Sequence, residues 1–197
     1  EASIRVMHLV TATWVLRQDK NPEPGLLDLL RAHLQRIAPT MSYAIGQQNN
    51  HGTSEAAALF IGGSFLAKHD SRAKGWERKG RRWLEDRAAT LIERDGSFSQ
   101  YSVNYHRFML DTFSLAEAWR RHRDLPPFSE RLNSRLAAAT EWLWLLTDGD
   151  TGDAPNIGAN DGARLVPLTG GDYRDFRPSV QLATALFRSA DAFGPGS

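Results

Sequence analysis

The chain has 197 residues, 41% apolar and 24% charged, enough to bury a sizeable core in one large domain. A formal net charge of +1 supplies no global field for nucleic acid, and no apolar run approaches the roughly 20 residues of a membrane-spanning helix. The absence of cysteine excludes disulfides and thiolate metal sites and leaves the redox compartment open.

The expected elements are helices in succession. The chain opens on Glu1 rather than Met, and residues 3–16 already read as helix, with Ile4, Met7, Val10 and Trp14 at helical spacing. An excerpt from a longer protein is therefore expected. Asn21-Pro22-Glu23-Pro24-Gly25 is a turn. Leu26, Leu27, Leu30, Leu34 and Ile37 start a second helix, expected to kink or end near Pro39. The polar run Gln47-Gln48-Asn49-Asn50-His51-Gly52-Thr53-Ser54-Glu55 then gives way to an apolar one. Thr53 or Ser54 is the expected cap of a third helix over residues 54–68, whose Gly62-Gly63 pair implies close packing with a neighbour. A fourth helix over 76–92 is amphipathic and Arg-rich. A fifth spans 104–122, with Phe108, Leu110, Phe113, Leu115 and Trp119 as core candidates. A sixth spans 129–146. Residues 147–175 form a long Gly- and Asp-rich loop, and a last helix covers 178–192. The predicted class is all-α, as a single helical domain over residues 1–197.

Three polar clusters, near Asn50, Tyr105 and Asn160, recur at intervals of about 55 residues, roughly two helices with their loops. In a stack of antiparallel helical hairpins such connections share one rim, as in α-solenoids and helical toroids. No sequence repeat supports a tetratricopeptide-type array.

Each cluster has a chemical and a plain reading. Asn49, Asn50, His51 and backbone N–H groups at a helix start make an anion site, or an ordinary capped helix. His51 and Glu55 have the spacing of a metal-ligand pair but lack a third ligand, so no metal is expected. Tyr105, followed by His106 and Arg107, is a proton shuttle if a cationic neighbour lowers its pKa, or a core tyrosine with a satisfied hydroxyl. Asn160 and Asp161 are polar site residues or turn formers. Arg164, Arg174 and Arg177 suit carboxylate or sulfate, or pair with Asp172 or Asp175. No nucleophile-elbow pattern supports a serine triad.

With these residues in view, the sequence resembles the heparinase II/III-like polysaccharide lyases, a group that includes alginate lyases. The resemblance rests on three motifs in order. They are Asn49-Asn50-His51 before a small-residue helix; Asp95-Gly96-Ser97-Phe98 leading to Asn104-Tyr105-His106-Arg107; and Pro155-Asn156-Ile157-Gly158-Ala159-Asn160-Asp161-Gly162. It implies an incomplete (α/α) toroid, of which this is the later part, followed in the family by an antiparallel β-sandwich. It implies β-elimination on an acidic, uronate-containing polysaccharide or oligosaccharide, without cofactor, in a periplasmic or secreted setting. By resemblance Asn50 and His51 neutralise the substrate carboxylate and Tyr105 protonates the leaving oxygen, acting also as base for one substrate epimer. Asn49, His106, Arg107, Asn160, Asp161 and Arg164 are the expected substrate-binding residues. Ala159 departs from the Asp of many relatives. A second base is expected beyond residue 197. The isolated chain, with half of the expected cleft missing and apolar toroid edges exposed, is expected to be inactive. The competing expectations are a non-catalytic α-solenoid and a toroid glycoside hydrolase using Glu55 with Asp161.

Overall fold

The computed structural model describes residues 1–167 and 169–193; Leu168, in the long loop, and residues 194–197, the end of the predicted domain, lie outside them. The fold is all-α. The described residues form seven helices and no strand: α1 (Ala2–Val15), α2 (Pro24–Gly46), α3 (Asn50–Leu66), α4 (Ala73–Leu91), α5 (Val103–His122), α6 (Glu130–Leu146) and α7 (Arg177–Phe187). One antiparallel bridge joins Ile92 to Phe98. The chain divides into two compact units. The first is Glu1–Asp86 with Trp119–Leu125; the second is Arg87–Ala118 with Pro126–Ser197.

In the first unit, α2 does not break at Pro39. Ile37, Met41 and Ala44 carry its buried seam past the proline. Pro39 itself lies on the exposed side with Gln35, where water can serve the carbonyl that a proline leaves unbonded. The third helix starts four residues earlier than its sequence suggests. Asn49, not Thr53 or Ser54, is the cap: its backbone is extended and its side-chain Oδ1 accepts from His51 N at 2.9 Å. Asn50 and His51 therefore open the helix rather than precede it.

The third helix is buried almost all round, from Gly52 to Leu66 with only Glu55 partly open. Its glycines explain how. A Cβ at Gly62 would stand 2.7 Å from Val6 Cγ1 of α1. One at Gly63 would stand 2.5 Å from the backbone N of Glu77, and one at Gly80 of α4 would lie 2.3 Å from Phe60 N. The backbones of α3 and α4 thus meet where two helices present no side chain. Trp119 closes the same core, donating from Nε1 to Ser64 Oγ at 2.7 Å.

In the second unit, α6 packs on α7, and the loop after α6 is folded back by specific bonds. Phe176 N donates to Gly152 O at 2.8 Å. Arg177 ion-pairs with Asp175 at 3.0 Å and donates to the carbonyls of Gly149 and Asp150. The two ends of the long loop are thereby held together.

Gly63→Ala should lower stability by about 1–3 kcal/mol, because the neighbour in the way is backbone. Gly75→Ala, in α4 with open space around its Cβ, should leave stability unchanged or raise it by up to about 1 kcal/mol. Urea denaturation midpoints of the two variants check this pair.

Candidate functional site

In the first unit, Asn49, Asn50 and His51 form the capped start of α3. Asn49 is held by Gln47, its Nδ2 lying 3.4 Å from Gln47 Oε1. His51 is exposed, and its carbonyl accepts from Ser54 Oγ at 3.2 Å. One turn on, burial pushes the Glu55 carboxyl above its ordinary pKa, and Glu55 Oε2 is enclosed without a hydrogen-bond partner. The positive end of a helix that is otherwise buried thus presents a histidine to solvent, with backbone N–H groups behind it.

The second unit gathers Tyr105, Asp161, Asn160, Asn104, Arg107 and Tyr173. The geometry begins with Ser102, the residue before α5. Its hydroxyl accepts from Tyr105 N at 3.1 Å and donates to Ala159 O at 2.5 Å. Val103 N donates to Ile157 O at 3.1 Å. Gly158, with φ +77°, lies so close that a Cβ there would meet Tyr101 O at 2.1 Å. The loop is thereby laid on the first turn of α5. Asn160 and Asp161 turn the chain through their own side chains, accepting from Gly162 N and Ala163 N at 3.1 Å each.

That placement brings the Tyr105 hydroxyl to 2.6 Å from Asp161 Oδ2, to which it donates. The hydrogen bond to Asp161, with burial second, pushes the phenol up to about 12. The same bond holds the Asp161 carboxyl below its usual value. The cationic partner expected from sequence is not what Tyr105 meets. His106 points the other way into the core: its ring stacks on Trp142 at 4.5 Å and its Nε2 lies 2.8 Å from Ala139 O. Burial lowers its pKa to about 4, so it is neutral. Arg107, 1% exposed, donates to Tyr173 O at 2.6 Å and Asn104 Oδ1 at 3.0 Å. Its guanidinium lies over the rings of Tyr173 and Phe176, at 4.7 and 4.2 Å.

The Tyr173 hydroxyl stands 2.7 Å from both Asn104 Oδ1 and Asn160 Oδ1. One phenolic hydrogen therefore serves two amide oxygens. Asn160 Nδ2 donates in turn to Asn156 Oδ1 at 2.8 Å. Tyr173, Asn104 and Asp111 are members that sequence reasoning did not assign to the site. Asn104, Arg107 and Asp111 have the i, i+3, i+7 spacing of one helix face, which was the available signal. Of the loop arginines, Arg177 pairs with Asp175 and Arg174 with Asp153, while Arg164 reaches Gly171 O at 3.5 Å. Asp111 is fully buried, and burial raises its pKa to about 7 against the opposing pull of the Ser179 hydroxyl, Arg107 and Arg164.

Residues 2–151 match the model of the alginate lyase family, so the chain belongs to that family. No curated protein and no solved structure matches the chain. No helix among the described residues is long and apolar enough to cross a membrane. Among the same residues, no group of three or more His, Asp or Glu is arranged to hold a metal ion.

A carboxyl whose folded pKa is raised binds its proton more tightly folded than unfolded. Its contribution favours folding below the ordinary carboxyl value of about 4 and is lost as pH rises through about 7. The stability of the wild type relative to Asp111→Asn should therefore fall as pH rises from 4 to 8. Denaturation midpoints of both proteins across that range read the difference.

Proposed function

We propose that this protein cleaves alginate, or a closely similar uronate glycan, by β-elimination, with Tyr105 as the proton donor to the leaving oxygen. A base removes the proton at C5 of the uronate, charge builds into the adjacent carboxylate, the C4–O4 bond breaks, and a double bond forms between C4 and C5. The C5 proton is a poor acid, so the reaction needs positive or hydrogen-bonding groups on that carboxylate. The motif resemblance, and not a shared geometry, assigns this role to Asn50 and His51, with Asn49 fixing the start of their helix. The departing O4 takes the phenolic hydrogen of Tyr105, which is afterwards replaced from solvent.

The observation that carries this reading is the 2.6 Å bond from Tyr105 to Asp161. A carboxylate beside the phenol opposes phenolate formation, so Tyr105 rests in the form that gives a proton. The dual role as base, expected for one substrate epimer, is disfavoured by the same bond, and C5 deprotonation is assigned to a different base. Asn160, Asp161 and Arg164 are read as substrate contacts at the loop surface. His106 and Arg107, both buried, support α5 and the Tyr173 segment from beneath. We read the chain further as a heparinase II/III-like member, with the toroid and following β-sandwich that its three motifs imply. The family match favours neither a non-catalytic solenoid nor a glycoside hydrolase.

The full-length protein incubated with alginate should generate the ultraviolet absorbance of an unsaturated uronate. Tyr105→Phe should reduce it by about a hundredfold or more, the scale of a lost general acid. Turnover retained by that variant would overturn the assignment.

Asp161→Asn removes the negative charge that holds the phenol protonated. The titration of Tyr105 should then fall from about 12 towards the ordinary value near 10, and the alkaline limb of the activity profile should move down with it. Ultraviolet difference titration against proteins carrying Tyr105→Phe isolates this one phenol. An unchanged titration would remove Asp161 from the role.

A further inference from the structure

Arg94, Arg131, Ser134 and Arg135 line a cavity of about 330 Å³ in the second unit, and none of them belongs to the Tyr105 cluster. This volume lies at the small end of ligand pockets, about 300–1,000 Å³. The backbone explains the convergence. Arg131, Ser134 and Arg135 fall at i, i+3 and i+4 on α6, so they share one face. Arg94 comes from the turn before α5, in which Gly96 N donates to Glu93 O at 3.1 Å. Gly96, with φ +91°, is pressed against α6 so closely that a Cβ would meet Ala138 O at 2.2 Å. Only glycine lets this turn lie on the helix, and the contact brings Arg94 to the arginines of α6.

Arg94 and Arg131 are exposed and Arg135 is half-buried, so water screens part of the repulsion among the three guanidinium groups, and an anion between them removes the rest. The acidic neighbours in sequence do not line it. Asp95 is turned into its own loop, accepting from Ser97 N at 3.0 Å and Ser97 Oγ at 2.8 Å. Glu93 and Glu130 are exposed and lie outside the lining. Arg131 also sits in the first turn of α6, where the helix end adds to the positive potential. Arg135 Nη1 is closed off from solvent without a hydrogen-bond partner. A buried guanidinium N–H costs free energy until it meets an acceptor, and an oxyanion supplies acceptors for several such groups at once.

We infer that this pocket binds a carboxylate of the acidic sugar chain, as an anchoring point additional to the reacting one. The proposal takes the identity of its ligand from the lyase reading; the anion preference stands on the arginines alone. A polyuronate carries one carboxylate per sugar, so a chain engaged at one point has further carboxylates to offer. Phosphate and sulfate share the same acceptor chemistry, and the test separates them from the sugar acid.

The test uses the full-length protein carrying Tyr105→Phe, so that turnover does not consume the probe. Phenylglyoxal modification of Arg94 and Arg131 is followed by peptide mass spectrometry. The probes are hexameric oligomannuronate, its methyl ester and inorganic phosphate. Saturating oligomannuronate should slow modification at both positions by about tenfold, as expected of a site some nine-tenths occupied. The uncharged methyl ester should not. Arg94→Gln with Arg131→Gln should weaken oligomannuronate binding in calorimetry and flatten its dependence on salt. Modification unchanged by oligomannuronate would overturn the proposal. Protection by phosphate alone would overturn the sugar-acid assignment. Protection in a protein whose wild type shows no elimination would leave the pocket standing and remove the lyase reading; elimination without protection would do the reverse.

Discussion

Ser102 is the residue on which the tyrosine site depends. Its single hydroxyl faces two ways, accepting from the backbone of Tyr105 and donating to the carbonyl of Ala159. The first bond satisfies an otherwise unpaired N–H at the start of α5. The second fastens a loop more than fifty positions later in the chain to that same turn. Asp161 comes within reach of Tyr105 because of this fastening, and the protonation state of the phenol follows. A loop whose only constraint was its own turn chemistry would leave Tyr105 to solvent, at an ordinary pKa.

Beneath the loop lies a layer with different physics. Arg107 is enclosed among aromatic faces, an amide and a backbone carbonyl, and Asp111 one turn on is fully buried. Burying charge is costly, and such an arrangement is weak evidence for stability. It does fix the segment carrying Tyr173, whose hydroxyl ties α5 to Asn160. The loop is thus held from the side by Ser102 and from beneath by Arg107 and Tyr173. Rigid support of that kind keeps catalytic groups in register with a substrate.

The first unit solves a separate problem. Its Asn-His pair sits at the start of a helix that is sealed on nearly every face, so the position of that start is set by the whole core. The contact of α3 with α4 is made through Gly63 and Gly80, where the backbones approach too closely for any side chain. Small residues in a buried helix therefore act at a distance, by fixing where its exposed first turn stands.

Much of this was legible in the sequence. Hydrophobic periodicity marked each of the seven helices among the described residues, because burying one face of each is what makes it stable, but α2 runs on to Gly46, well past Pro39, and α7 ends at Phe187 rather than at residue 192. The close packing implied by Gly62-Gly63 was read correctly from the loss of helix propensity there. Local signals misled in two places. Pro39 suggested a break, but the seam of Ile37, Met41 and Ala44 outweighed one missing hydrogen bond. Thr53 and Ser54 looked like caps, but Asn49 was better placed to reach His51 N. The site residues themselves stood out as clusters of chemically capable side chains, and the three ordered motifs pointed to polysaccharide lyases. What no local pattern contained was the partner of each group. His106 and Arg107 follow Tyr105 directly in sequence, yet a helix turns consecutive side chains by about 100°, which sends them into the core. Asp161 is remote in sequence and adjacent in space. The residue types and the helices that carry them were set by the sequence pattern. Whether Tyr105 meets a cation or a carboxylate was decided by long-range packing of a loop on a helix, because that packing alone determines which charge stands beside the phenol.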